Sequence, residues 1–228
     1  MITTNFKLKT WNKKNSYSKK YALEYLGRRN AHLREDKVFF KELVKKYEIN
    51  LSDETILDLA AGTGMDLKIL NEFNPKTLIW HDKMEGVYKV ARKNLENLNN
   101  IFNLKDLMDL DEYKKNSVKF ALCRESLYYI GNDFLFFKEL KRILKKEGFF
   151  WGKNATLKFY KELPRKSLIK TIRNYCFDWP LYKTTGLRIF AFIPVDPRRL
   201  KYIFKKLDFK ILYFSEINDY TEFLIKKT

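Results

Sequence analysis

The stretch best suited to chemistry in this chain is Asp58-Leu59-Ala60-Ala61-Gly62-Thr63-Gly64. Ahead of it, Thr55 to Leu59 reads as a short buried strand, and behind it Met65 to Phe73 reads as a helix. Glycine at such a junction lets the backbone turn sharply and approach a ligand closely. The helix N-terminus presents unpaired N–H groups suited to an anion such as a carboxylate. A dinucleotide reader would need G-x-G-x-x-G, but Leu67 stands where the third glycine would fall, and position 60 is Ala. A pyrophosphate ligand is therefore disfavoured. The two cysteines, Cys123 and Cys176, and two histidines, His32 and His81, give no metal-ligand spacing, so no metal is expected. The cysteines read as buried free thiols.

The elements needed to position that loop follow in order. Val38 to Tyr47 has helical periodicity. After the first strand and helix come a second strand, Thr77 to His81, and a helix from Glu85 to Leu98. Ile101 to Leu104 and Val118 to Cys123 read as strands three and four. Phe134 to Leu144 reads as a helix stopped by Lys145, Lys146 and Gly148, and strand five starts at Phe149. Leu157 to Phe177 reads as an added basic helical segment. Pro197 opens a further helix to Leu207, and Phe209 to Phe214 with Tyr220 to Ile225 read as a closing antiparallel pair. Strands alternating with helices predict a mostly parallel sheet covered on both faces. Ligands of such a sheet bind at the carboxyl ends of its strands.

The 228 residues suit one domain, and 45% hydrophobic composition supports a packed core. We divide it as 1–50 N-terminal helical cap, 51–152 cofactor-binding core, 153–195 basic substrate-side insertion, and 196–228 closing helix and strands. No apolar run is long enough for a membrane helix, and no signal-peptide pattern opens the chain, so a cytoplasmic location without membrane contact is expected. The net charge of +18 is unevenly spread. Residues 1–50 carry 13 basic and 5 acidic side chains, residues 51–150 carry 16 of each, and residues 151–228 carry 17 and 7. The excess at both ends would attract an acidic partner.

The glycine-rich run resembles motif I of the class I S-adenosylmethionine-dependent methyltransferases, and the resemblance continues in order through residues 40–152. It implies a three-layer, Rossmann-like, seven-stranded sheet with an antiparallel last strand, an N-terminal helical cap and a helical insertion after strand five. It also implies S-adenosylmethionine as cofactor, S-adenosylhomocysteine as product and no metal. Asp82, followed by Lys83 and Met84, matches the acid that binds the ribose hydroxyls; a carboxylate can accept two hydrogen bonds from a vicinal diol. Asp106 and Leu107 match the adenine-binding position. Asp58 and the backbone around Ala60, Ala61, Gly62 and Gly64 would hold the methionine portion, with Cys123 at the end of strand four nearby. Ser126-Leu127-Tyr128-Tyr129-Ile130 and Glu139 to Lys145 match two further family segments, while Lys119 and Lys146-Glu147-Gly148 depart from the pattern.

Methyl transfer needs a nucleophile aligned with the methyl carbon and, for some substrates, a base. The acid–base candidates are Glu125, Tyr128, Tyr129 and His32. No Asn/Asp-Pro-Pro-aromatic or Pro-Cys motif is present, which disfavours base-methylating DNA enzymes. In relatives the cap and the post-strand-five insertion roof the substrate. Tyr21, Arg28, Arg29, Arg173, Trp179 and Arg188 are therefore the substrate-binding candidates, suited to a small carboxylate- or phosphate-bearing metabolite methylated on O or N. A tRNA or rRNA methyltransferase using the basic ends is the alternative, and a non-catalytic cofactor-binding scaffold a third reading. A monomer or homodimer is expected.

Overall fold

A computed structural model gives the protein's structure and describes residues 19–155, 196–217 and 220–228. Two helices come first, α1 (Lys19–Ala31) and α2 (Leu33–Lys46). Strand β1 (Thr55–Leu59) leads into α3 (Met65–Leu70) and a short 3₁₀ turn, and β2 (Thr77–Asp82) into α4 (Glu85–Asn94). Strands β3 (Asn100–Leu104) and β4 (Val118–Arg124) follow, then α5 (Asp133–Ile143) and β5 (Leu144–Ala155). Helix α6 (Pro197–Lys206), β6 (Phe209–Ile217) and β7 (Tyr220–Lys227) close the chain.

The seven strands form one sheet in the order β3-β2-β1-β4-β5-β7-β6. Strands β1 to β5 run parallel, and β7 is inserted antiparallel between β5 and β6. This is the Rossmann-like, mostly parallel sheet expected from the sequence, with the final strand reversed. The central strands are apolar on both sides because both faces are covered. On one face, Phe136, Phe137 and Leu140 of α5 pack with Leu200, Ile203 and Phe204 of α6. On the other, Phe40 and Leu43 of α2, Leu67 and Leu70 of α3, and Val87 and Val90 of α4 cover Trp80 and Trp151. Each such fully buried side chain contributes about 1.5–3 kcal/mol.

The start of β5 differs from the sequence expectation. Helix α5 ends at Ile143 and the strand begins at once, at Leu144. The register with β4 jumps from Val118↔Leu144 to Phe120↔Phe149, so the basic segment between them bulges from the strand instead of ending a helix. Glu147, not Gly148, takes the left-handed conformation there (φ 58°). Gly148 is required for space: a Cβ would lie 2.8 Å from the Lys145 carbonyl oxygen. The expected basic helix between Leu157 and Phe177 lies outside the described residues.

Candidate active site

The parallel strands end on one side of the sheet, and the loop after β1 opens there. Ala60 (φ 57°), Gly62 (φ 53°) and Gly64 (φ 77°) are all left-handed, which folds the chain into a tight turn before α3. A Cβ at Gly64 would sit 2.6 Å from Leu95 Cδ1, so only glycine lets α4 pack this close. The turn is tied to β2 and α4. Ala60 N–H donates to the His81 carbonyl at 2.7 Å, Trp80 Nε1–H to the Gly62 carbonyl at 2.8 Å, and Asn94 Nδ2–H to the Thr63 carbonyl at 2.8 Å. The buried Thr63 hydroxyl has no hydrogen-bond partner.

Two buried carboxylates flank this turn. Asp58, on β1, is 2% exposed. Burial pushes its pKa well up and neighbouring Asp66 adds to this, while Arg124 and Arg29 oppose it. Asp82 ends β2. Its Oδ2 accepts the Gly62 N–H and its Oδ1 accepts the Met84 N–H, both at 2.9 Å. Burial raises the Asp82 pKa to about 6 against the pull of those N–H groups and of Lys83. One strand further out, Asp106 Oδ1 accepts the Met108 N–H at 3.0 Å and its Oδ2 takes Lys83 Nζ at 3.3 Å.

The N-terminal helices cover the turn. Tyr25 Cε1 lies 3.8 Å from where a Gly62 Cβ would be. Desolvation raises the Tyr25 pKa to about 12. Arg28 stands over the Tyr21 and Tyr25 rings, 5.7 and 5.9 Å from their centroids. Beside them Arg124, at the end of β4, makes bonds of 3.0 and 2.9 Å to Asp66 and one of 2.9 Å to Asp36. Arg29 joins the same two acids at 2.9 and 2.8 Å. Burial opposes the Arg124 charge, but Asp66 and Asp36 outweigh it and raise its pKa. The next residue, Glu125, is left-handed (φ 55°), with its N–H bonded to the Lys153 carbonyl at 2.6 Å. The following 3₁₀ turn, Leu127–Tyr129, is held by Leu127 N–H donating to Asn154 Oδ1 at 2.8 Å, and it stacks Tyr128 edge-on to Tyr129 at 4.5 Å.

A sequence model of the methyltransferase domain family matches residues 57–152, the segment that builds this loop and the strands beside it. Residues 57–152 thus match the methyltransferase domain that the sequence resemblance implies. Solved structures share the fold at low identity. An S-adenosylmethionine-dependent methyltransferase structure from Listeria monocytogenes is 16% identical, with a TM-score of 0.63, covering 82% of this chain and 97% of that one. One from Methanococcus maripaludis is 15% identical, with a TM-score of 0.63 and 96% and 97% coverage. A structure named as a sarcosine dimethylglycine methyltransferase from Galdieria sulphuraria is 14% identical, with a TM-score of 0.64 and 88% coverage of each chain. No curated protein matches the sequence significantly.

The residues fit the methyltransferase cofactor. At Asp58 burial disfavours the carboxylate charge, and an ammonium group placed beside it would offset that cost. Asp82 is a buried carboxylate that accepts backbone N–H groups of Gly62, Lys83 and Met84 beside the turn, and a carboxylate can accept further bonds from hydroxyl donors. The structure brings Asp58, Ala60, Ala61, Gly62, Gly64, Asp82, Lys83, Met84 and Asp106 to the ends of adjacent strands β1, β2 and β3. Cys123 and Leu107 are buried in the core cluster on the α5 face, and burial pushes the Cys123 thiol well up.

The remaining candidates are dispersed. Glu125, Tyr128 and Tyr129 lie just past β4, and Tyr21 and Arg28 lie on the cap. Arg29 is engaged by Asp36 and Asp66. His32 sits between α1 and α2 with its side chain 64% exposed and Nδ1 2.8 Å from Glu35. Arg173, Trp179 and Arg188 lie outside the described residues. The sequence reading missed the Arg124–Asp66–Asp36 cluster; a charge closing the apolar run Phe120-Ala121-Leu122-Cys123 was its one visible sign. Among the described residues no group of three or more His, Cys, Asp or Glu is placed to hold a metal, and no helix is long and apolar enough to cross a membrane.

Proposed function

We propose that this methyltransferase modifies an O or N atom of a small metabolite bearing a carboxylate or phosphate. The observation that carries the substrate class is Arg28. Its exposed guanidinium rests on Tyr21 and Tyr25, with no acidic partner among the described residues, while Tyr25 covers Gly62 of the cofactor turn. An anion held there would lie beside the cofactor site, and a guanidinium suits the planar oxygens of a carboxylate or phosphate.

S-adenosylmethionine supplies an activated methyl group on its sulfonium. Asp58 would hold the amino-acid portion and Asp82 the ribose, with Asp106 and Leu107 at the adenine. The residues after β4 then do the local work. Glu125, Tyr128 or Tyr129 would orient the acceptor and take a proton when the acceptor atom carries one. The Tyr25 ring would exclude water over the turn.

Calorimetry on ligand-stripped protein with S-adenosylhomocysteine tests the cofactor site, and absence of binding overturns it. S-adenosylhomocysteine release is then followed with amino acids, hydroxy acids and phosphomonoesters against bulk tRNA and rRNA. Turnover with a small acid, at an affinity that changes little between low and physiological salt, is expected. Turnover only with RNA, falling steeply with salt, overturns the substrate class. Cofactor binding without turnover on any acceptor would favour a scaffold.

A further inference from the structure

His81, buried at the end of β2 beside Asp82, is not assigned a role by the reaction, yet both ring nitrogens are bonded. Nε2 lies 2.8 Å from the Asp106 backbone carbonyl, and Nδ1 lies 2.7 Å from the Tyr113 hydroxyl. Asn103 Nδ2–H donates to that same hydroxyl oxygen at 2.7 Å. A carbonyl only accepts, so Nε2 must carry the proton. In the neutral ring with Nε2 protonated, Nδ1 is an acceptor, so the Tyr113 O–H donates to it while the Tyr113 oxygen accepts from Asn103. Burial lowers the His81 pKa against the opposing pull of its bond to the Asp106 carbonyl and of Glu112, Asp106 and Asp109, which favours the neutral ring. A directional chain results: Asn103 N–H to Tyr113 O–H to His81 Nδ1, and His81 Nε2–H to Asp106 C=O.

The receiving end is a tight turn. The Asp106 carbonyl also accepts the Asp109 N–H at 2.8 Å, and the Asp106 carboxylate accepts the Met108 N–H. Together with Lys83 Nζ on the Asp106 carboxylate, His81 ties this turn to the end of β2, where Asp82 stands.

We infer that His81, locked as its Nε2–H tautomer by Tyr113 and Asn103, is a positioning residue that sets the Asp106–Met108 turn for recognition of the adenine amino group. This rests on the assignment of Asp106 and Leu107 to the adenine above.

The test compares S-adenosylhomocysteine with S-inosylhomocysteine, in which oxygen replaces the adenine amino group. The ratio of the two affinities reads the adenine edge and is insensitive to general loosening of the fold. Tyr113→Phe keeps the ring and removes the hydroxyl. It is expected to shrink the ratio on the order of fivefold, the worth of about one hydrogen bond. His81→Gln keeps a donor near the Nε2 position and should retain the ratio; His81→Asn, too short to reach, should lose it. Nitrogen-15 NMR of the imidazole should show His81 with a protonated Nε2 and a bare Nδ1. Equal losses for both ligands in Tyr113→Phe, or a protonated Nδ1, overturn the inference while leaving the cofactor site standing. A wild-type protein that binds neither ligand overturns the cofactor reading and this one with it.

Discussion

Arg124, at the end of β4, grips Asp66 of α3 in a fork, Nε to Oδ2 at 3.0 Å and Nη2 to Oδ1 at 2.9 Å. Arg29 of α1 shares Asp66, and Asp36 of α2 takes the third Arg124 bond. Four elements thus meet at one charge cluster, beside the turn that starts α3. The guanidinium also lies over Trp151, 5.1 Å from its centroid, so its face is desolvated while its edges are bonded.

Removing Arg124 would leave Asp66 and Asp36 buried with half their compensation. Arg124→Met, which keeps the length of the side chain, is expected to destabilise the fold by about 3–5 kcal/mol, the range for breaking a buried ion pair from one side. Chemical denaturation monitored by tryptophan fluorescence measures it. A loss under about 1 kcal/mol, the range of exposed pairs, would show that water reaches the cluster.

If Asp82 holds the ribose as proposed, cofactor affinity is expected to depend on pH. A hydroxyl pair donates to the carboxylate, so binding needs the ionised form, and protonation begins near the raised pKa of about 6. Affinity for S-adenosylhomocysteine is expected to be level above pH 7 and to weaken toward tenfold per unit well below 6. Asp82→Ala should bind severely less at all pH values and lose this dependence. The unliganded protein has the opposite sign. Because the folded pKa is raised, ionised Asp82 lowers stability above about 6, and the penalty disappears as pH falls toward the ordinary value of 3.8. Calorimetric titrations from pH 5 to 8 check the first point, and a flat profile would contradict it.

The gathering of the cofactor candidates at neighbouring strand ends was legible because its parts are local. Asp58, the two glycines, Asp82 and Asp106 each follow a strand at short spacing, and strand ends are where such a sheet opens. The antiparallel closing pair was readable from two apolar runs with a short break, but its insertion with β7 beside β5 depends on pairing that no local pattern encodes. Two local signals also misled. Lys145, Lys146 and Gly148 look like a helix stop, yet they form a bulge inside β5. Arg124 and Asp66 are 58 residues apart, and only the fold makes them neighbours. Arg29 reads as a substrate ligand by charge alone, whereas its position on α1 delivers it to acids of the protein itself.

Ala60 holds a conformation that glycine adopts freely. Its φ of 57° costs an L-residue about 1–2 kcal/mol, while glycine there loses about 0.5–1 kcal/mol in the unfolded chain. Ala60→Gly is therefore expected to stabilise by up to about 1 kcal/mol, seen as a higher Tm. Gly64→Ala should act in reverse and more strongly. It adds the same backbone strain to an overlap with Leu95 Cδ1, for a loss of about 2 kcal/mol or more. Equal Tm values for the two variants would show that the turn relaxes around either residue.

Glu125 repeats that strain at the end of the neighbouring strand, where the reacting atoms would lie. Its φ is 55°, and its N–H is held by the Lys153 carbonyl, so the surrounding sheet maintains a conformation the residue itself disfavours. The backbone strain and any role of the carboxylate in the reaction are separate effects. Two variants separate these effects. Glu125→Gly should raise Tm by relieving the backbone, a gain of up to about 1 kcal/mol, and should abolish whatever the carboxylate does. Glu125→Gln keeps the backbone strain and removes the charge, so its Tm should match the wild type. If Glu125 takes the acceptor's proton, Glu125→Gln lowers kcat by about 10²–10⁴ while S-adenosylhomocysteine affinity is unchanged. A Glu125→Gln enzyme with full kcat would remove Glu125 from proton transfer and leave Tyr128 and Tyr129 as the candidates, tested in turn as phenylalanines.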